Sequence, residues 1–530
     1  MRNPTPEQIH SRRWATLAVL CLSLLVVVVD NSIVNVALPT MVRQLHASTT
    51  SLQWVVDAYT LAMAGLLLTL GSLGDRIGRH RTLAGGLVIF GVGSVLAGVS
   101  GSAVELIACR VLMGIGAAAI MPSTLSILTN VFTDDAERPK AIAMWSAVAG
   151  LGVAIGPTLG GWLLEHFGWG SIFTVNLPIV AVALAGGRLV VPPSANPHPK
   201  GLDPTGALMS IAGLVAVVYA IIEAPSNGWV SARTLGIAGA GAAILVAWVI
   251  FELRSTHPMV DLRIFRNARF SAASFAVTMI FLALFGWLFL FTQQMQFVLG
   301  YNTLQAGVRA LPFAFTIGMV SQPAAKLAAR VGAKAVVSSG LALMGVGLGL
   351  VSSSTVHTGY PFLLVASVIV AAGMGLAMAP ATESIMGALP RAQAGVGSAV
   401  NDTTRSLGGA LGVAAMGSVA SSEFASQLHP FLAHVPGRYA TQAQASVGAA
   451  VTVARHAPAS FGHVLGEAAR QAFITGSDHA MFVAVAAAVL GSLVALLFLP
   501  ARANGEDLSI APARETDVVR ITRVSVAGSA

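Results

Sequence analysis

Stretches of about 20 residues with almost no charge recur from Trp14 to the neighbourhood of Leu499, and nothing else in the sequence limits the fold as strongly. A helix of that length crosses the roughly 30 Å hydrocarbon layer of a bilayer. Only 10% of the residues are charged, 55% are hydrophobic, and the mean hydropathy is +0.77, so the interior of a water-soluble protein cannot absorb these runs. The two-residue alternation of a membrane barrel strand is missing, which leaves helices. The sequence therefore predicts an all-α membrane protein.

Apolar runs set against polar punctuation predict helices at 14–38, 54–73, 82–101, 104–130, 139–164 and 171–191, then a pair at 205–223 and 233–252. Six more follow at 271–298, 304–325, 334–353, 360–387, 397–420 and 477–499. The linkers 192–203 and 253–270 carry Pro with Lys or Arg and set off the middle pair. The expected division is an N-terminal six-helix bundle at 1–191, a two-helix insertion at 192–270 and a C-terminal six-helix bundle at 271–500. An external loop at about 421–478 and a tail at 501–530 complete it. Residues 1–13 are polar, and the run after them passes through Asp30 and Asn35 without a small-residue cleavage pattern, so no removable signal is expected.

A net charge of +8 fits a nucleic-acid binder only when the basic residues cluster, and here they stand in short loops. Arg12, Arg13, Arg76, Arg79, Arg81, Arg138, Lys140, Lys200, Arg254, Arg263, Arg266, Arg269, Lys326, Arg330, Lys334 and Arg391 share one side of the predicted bilayer. Arg43, Arg233, Arg438, Arg455 and Arg470 are on the other, with Arg309 near a helix end. The excess of positive charge on cytoplasmic loops then places the chain in the cell membrane with both termini cytoplasmic. Cys21 and Cys109 lie inside apolar runs and imply neither a disulfide framework nor a metal site. There is no Walker loop, HExxH, GxSxG or His/Cys cluster, so neither an enzyme nor a cofactor is expected. The expected partner at this point is membrane lipid, with no nucleic acid, and the expected state is a monomer.

Leu73, Arg76 and Gly78 recur at one constant offset as Leu327, Arg330 and Gly332, each triplet closing an even-numbered helix. Parallel six-helix halves with a substrate site between them are how one large class of secondary transporters is built. The stretch 71–81 (GSLGDRIGRHR) resembles the loop signature between helices two and three of the major facilitator superfamily. Residues 30–39 (DNSIVNVALP), 110–114 and 152–161 (GVAIGPTLGG) resemble segments of its fourteen-helix drug:proton antiporters. The likeness continues through the inserted pair, 296–301 (QFVLGY) and 401–412. Met113 stands where that family often has Gln, Gly170 follows Trp169 where Arg is common, and Ala329 replaces the acid of the second loop copy. The resemblance implies a major facilitator fold and export of lipophilic or cationic small molecules, such as drugs, dyes and biocides, in exchange for protons. A dedicated exporter of an endogenous metabolite, lipid or siderophore would use the same motifs. A non-transporting sensor or scaffold needs no ionisable residues in the hydrocarbon.

Asp30 lies within an apolar helix, where an ionisable group is costly and marks function by default. At 1.5 Å per residue it sits roughly 13 Å below the outer helix end, and Arg110 about 9 Å below the start of helix four. Matched depths make the pair a candidate for proton coupling and substrate binding, with the arginine favouring the ionised acid until the site rearranges. Asp57, about 5 Å below the expected start of helix two, is a second candidate or a favourable partner of the helix dipole. Glu383 is a candidate vestibule acid. Asp402 and Arg405, three residues apart, form either part of the site or a local salt bridge.

The loop residues Gly71, Gly74, Asp75, Arg76, Gly78 and Arg79 either anchor the loop by positive charge or form a conformational latch. Asp75 would then accept charge-assisted bonds in one conformer only, which the resemblance implies to be the outward-facing one. On helix five Gly152, Gly156 and Gly160 share one face, with Pro157 and Gly161 beside them. Close packing accounts for that face, and the resemblance implies that it seals the path or bends during turnover.

Overall fold

The computed structural model describes residues 6–45, 47–132, 134, 137–194, 203–255, 258, 260–389, 394–432 and 437–500. The tail 501–530, Lys200 and Arg391 lie outside the described residues. All regular elements among the described residues are helical. The first half consists of α1 (Pro6–Leu45), α2 (Thr49–Ile77), α3 (Arg79–Gly98), α4 (Ala103–Val131), α5 (Arg138–His166), and α6 (Ser171–Thr174) with α7 (Asn176–Val190) as one broken crossing. Next come α8 (Pro204–Asn227) and α9 (Ala232–Arg254), which pack on each other. A 3-10 turn, Leu262–Arg266, leads into α10 (Ala268–Gln293), which ends in a π-helical turn, Gln294–Val298. The second half continues through α11 (Thr303–Val331), α12 (Ala333–Val351), α13 (Tyr360–Gly387), α14 (Ala394–Leu432), the short α15 (Gly437–Gln444) and α16 (Val447–His456), and α17 (Ala459–Phe498).

Among the described residues twelve stretches are long and apolar enough to span a bilayer. With α5 and α14, of 29 and 39 residues, running among them, the expected fourteen crossings stand where the apolar runs placed them. The start of α1 and the end of α17 therefore share one side, called here the terminal side. Several helices outrun their hydrocarbon segments: α1 and α17 have 40 residues each. The segment 421–478, expected as an external loop, contains α15 and α16, but most of it continues α14 and α17. Its Ala- and Gln-rich composition favours continued helix over a loop.

Bilayer lipid is as apolar as leucine, so packing between these helices rests on close backbone approach. A Cβ on Gly116 would lie 2.7 Å from the Phe90 nitrogen and 2.8 Å from the Gly86 oxygen, which brings α3 and α4 together. A Cβ on Gly340 would lie 2.7 Å from both the Ala377 nitrogen and the Gly373 oxygen, which does the same for α12 and α13. The sequence repeat has a structural counterpart. Gly78 (φ 107°) separates α2 from α3 and donates its N–H to the Gly74 oxygen, while Gly332 (φ 97°) separates α11 from α12 and donates to Ala328. Glycine alone adopts that backbone region without steric cost.

The halves meet where α5 packs on α11 and α2 on α14, and α8 lies against both α2 and α14. Several hydrogen bonds join the halves toward the side opposite the termini. Thr303 Oγ1 donates to the Gly161 oxygen at 3.3 Å and the Leu304 N–H to Glu165 at 3.4 Å. Gln296 donates to the Val36 oxygen at 3.0 Å, and both the backbone N–H and the hydroxyl of Thr49 donate to the Ala445 oxygen, at 3.0 and 3.2 Å.

Candidate coupling site

Ionisable side chains meet deep in the first half. Arg110 on α4 donates from Nη1 to Asp30 on α1 at 2.5 Å and from Nε to the Val55 oxygen of α2 at 2.9 Å. Its guanidinium lies 4.1 Å from the centre of the Tyr59 ring, a cation–π contact. The second Asp30 oxygen accepts from Asn176 Nδ2 at 3.0 Å, and the same amide donates to Ser94 Oγ on α3 at 3.3 Å. Five helices thus converge on one ion pair whose side chains are 0% and 2% exposed. The depth match expected between Asp30 and Arg110 is a direct contact, and the pair is sealed within one half.

Nothing in the sequence singled out Asn176, Ser94 or Tyr59. Asn176 interrupts an apolar run as the first residue of α7, a signal that was available, but its helical phase relative to Asp30 was not. Met113 packs against Gly93, where a Cβ would meet its Cγ at 2.7 Å, and serves as apolar filling between α3 and α4.

Asp57 does not join this network. Its placement near a helix start is corrected by the structure: α2 begins at Thr49, because Ser48 caps it by accepting the Ser51 N–H at 3.1 Å. Asp57 is consequently two turns inside the helix. It is fully buried, and neither carboxylate oxygen has a hydrogen-bond partner.

In the second half Asp402 and Arg405 lie 3.8 Å apart on α14, the local salt bridge that their spacing allowed. Arg405 also donates to Thr382 at 3.2 Å and lies 5.7 Å from the Phe281 ring. Glu383 is exposed on the last turns of α13. Neither half's acids reach those of the other.

The loop signature is folded back onto its own half. Asp75 accepts from Arg79 Nε at 2.7 Å, Arg79 donates to the Ser126 oxygen of α4 at 3.4 Å, and a Cβ on Gly71 would touch Pro122 at 3.4 Å. Gly74 lies against Thr82, and Arg76 is exposed. Nearby, Arg13 grips Glu137 with two bonds of 2.7 and 2.8 Å. That guanidinium holds the Glu137 carboxyl below the usual range.

The glycines of α5 serve two partners. Gly152, Gly156 and Gly160 lie against Val28, Ser32 and Ile33 of α1, and Ser32 donates to the Gly152 oxygen at 3.2 Å. Gly161 faces Leu304, where a Cβ would come within 2.6 Å of its Cα, and the Pro157 carbonyl abuts Gly307. One motif therefore closes the first half on α1 and seats it on α11 of the second.

The family model described as the Major Facilitator Superfamily matches residues 20–413. Among curated proteins the chain is similar to the multidrug efflux pump LfrA of Mycolicibacterium smegmatis, 34% identical over 496 residues that make up 92% of this chain and 97% of that one. It is equally similar to the methyl viologen resistance protein SmvA of Salmonella typhimurium, 34% identical with the same coverage. Among solved structures, a bacterial homologue of the human lysosomal transporter Spinster, inward-facing and unoccupied, superposes with a TM-score of 0.66 at 16% identity, covering 93% of this chain and 99% of that one.

Proposed function

The chain belongs to the major facilitator superfamily of membrane transporters, and from that premise we propose that it exports lipophilic or cationic small molecules in exchange for protons. It is a transporter and not an enzyme. The observation that carries the coupled reading is the Asp30–Arg110 pair. An ion pair buried in the membrane interior is expensive to bury and contributes little net stability, and a use in turnover accounts for that expense.

The excess of Lys and Arg on the terminal side supports a cytoplasmic location for both ends in the cell membrane. With that orientation, the gathering of cross-half contacts on the far side supports an inward-facing conformer. The 1–191 and 271–500 units would then rock about a site between them, with 192–270 as an insertion beside the α2–α14 seam. A pump acting as a monomer is sufficient for this cycle. Substrate class rests on relatives named for multidrug efflux and methyl viologen resistance.

The reading is tested in proteoliposomes with methyl viologen as the probe. A pH gradient, acidic inside, should drive its accumulation, and an ionophore that collapses the gradient should abolish it. Accumulation indifferent to the ionophore would contradict proton exchange.

A further inference from the structure

The face of α2 turned away from Arg110 carries a second arrangement, formed by residues 53, 57 and 61. Spaced four apart, these three lie on one stripe of the helix, about 40° apart in sequence. Gln53 at the outer end is fully buried, and its Nε2 donates to the Val413 oxygen at 3.2 Å, the Ala414 oxygen at 2.9 Å and Ser418 Oγ at 3.1 Å. It fits there because Gly417 has no side chain: a Cβ at that position would lie 2.7 Å from the amide nitrogen. At the inner end Leu61 packs in one cluster with Ala410 and Ala414 of α14 and with Val218 and Ile222 of α8. Because α2 and α14 run antiparallel, Asp57 falls between these two contacts, at the level of residues 410–414. Val55 and Tyr59, which hold Arg110, occupy the opposite side of α2.

Asp57 is thus an acid in the seam between the halves, fully buried, with both oxygens unpartnered. Charged groups on the neighbouring elements are committed elsewhere or lie at other depths. Arg110 of α4 and Asp30 of α1 are paired with each other, and Arg43 of α1 stacks near Phe297 at the far end of its helix. Glu223 of α8 stands one turn beyond Tyr219, whose ring lies 6.0 Å from that of Trp54, and it accepts from Ser226 at 3.3 Å. On α14, Asp402 and Arg405 pair about two turns toward the terminal side, while Glu423, 3.7 Å from His479, and His429 lie more than two turns toward the far end, as does Glu105 in the first turn of α4, which accepts the Gly101 N–H at 2.8 Å. Arg79, His80 and Arg81 of α3 belong to its terminal-side end. An ionised carboxylate in this seam, shut off from solvent and without a counter-charge, is disfavoured, whereas the neutral acid is tolerated.

We propose that Asp57 is the proton-controlled closure of the α2–α14 seam: neutral, it lets Gln53 seat in the Gly417 notch, and ionised, it holds the seam apart. The inference rests on the antiport reading and gives it a direction. A proton arriving from the side opposite the termini forms an O–H bond on the carboxylate while the seam is open, and closure follows. Its loss to the terminal side permits reopening. Protons then move inward as substrate moves outward, the sense that export requires. Asp30 and Arg110 hold the first half together on the other face of α2, so the two acids act at separate places.

The test measures the seam directly. Spin labels are placed at Thr50 and Ser421, near the far ends of α2 and α14, in the full chain with Cys21 and Cys109 replaced, and the protein is held in nanodiscs. The interlabel distance should be short in acid, with a longer population growing as the pH is raised. Asp57→Asn and Asp57→Leu should both lose the longer population at alkaline pH, and the leucine variant removes any effect of an unpartnered amide. A pH response preserved in both variants, or absent from the parent protein, would overturn the proposal. The methyl viologen assay, run on the same labelled proteins reconstituted in proteoliposomes, separates the two levels. Coupled transport with a seam indifferent to Asp57 sinks this inference alone, and a seam governed by Asp57 without coupled transport sinks the antiport reading.

Discussion

Asp30 was legible in the sequence because an ionisable residue inside an apolar helix is conspicuous, and Arg110 because its depth matched. Their neighbours were not. Asn176, Ser94 and Tyr59 are ordinary residues in membrane helices, and only the phases of α2, α3 and α7 bring them to the pair. Asp57 was legible as an acid but not as a buried one, since its depth depends on the Ser48 cap that starts α2 earlier than the apolar run does. Asp30→Asn keeps the shape and much of the hydrogen bonding but cannot titrate, so it should abolish gradient-driven efflux at normal membrane expression while substrate exchange without a gradient persists. Full gradient-driven efflux in that variant would make Asp30 structural. Arg110→Ala strands a buried acid and should cost about 3–5 kcal/mol, visible as poorer expression and a lower unfolding temperature than Asp30→Asn. At the terminal face, the depressed Glu137 carboxyl makes its contact with Arg13 a stabilising one above the ordinary carboxylate range. That contribution is lost as the pH falls through the lowered value, so the protection of the first α5 amides, taken relative to their intrinsic exchange rates, should fall in acid. Glu137→Gln should flatten this dependence.

The elements followed the apolar runs closely, but their ends followed other rules. Hydropathy marks where a helix is in lipid, not where it stops, and α1, α14 and α17 continue past the bilayer because nothing in their sequences ends them there. The glycine face of α5 was legible as a close-packing surface, although its partner was not: the four-residue spacing fits any neighbour, and only the fold assigns Gly156 to α1 and Gly161 to α11. Gly156 lies so close to Ser32 and the Ile33 backbone that added bulk must displace α1. Gly156→Leu should therefore abolish transport and Gly156→Ala should be milder, measured as efflux normalised to membrane expression. Equal tolerance of both would mean that the close approach to α1 is not needed for turnover.

For the whole molecule, a set of cross-half hydrogen bonds toward one side is what a single station of the proposed cycle would show. The loop signature fits this picture. Asp75 pairs with Arg79 inside its own half, which leaves any contact with the other half to a different conformer. Asp75→Asn should insert and fold normally yet slow turnover, and unchanged turnover would reduce the loop to an anchor. The central claim, that substrate export and proton entry are one process, is tested most directly by a pH-sensitive dye sealed inside proteoliposomes with an acidic lumen. Adding methyl viologen outside should raise the lumenal pH in proportion to the methyl viologen accumulated, and Asp30→Asn should abolish both signals. Accumulation of methyl viologen with no accompanying proton movement would contradict the account.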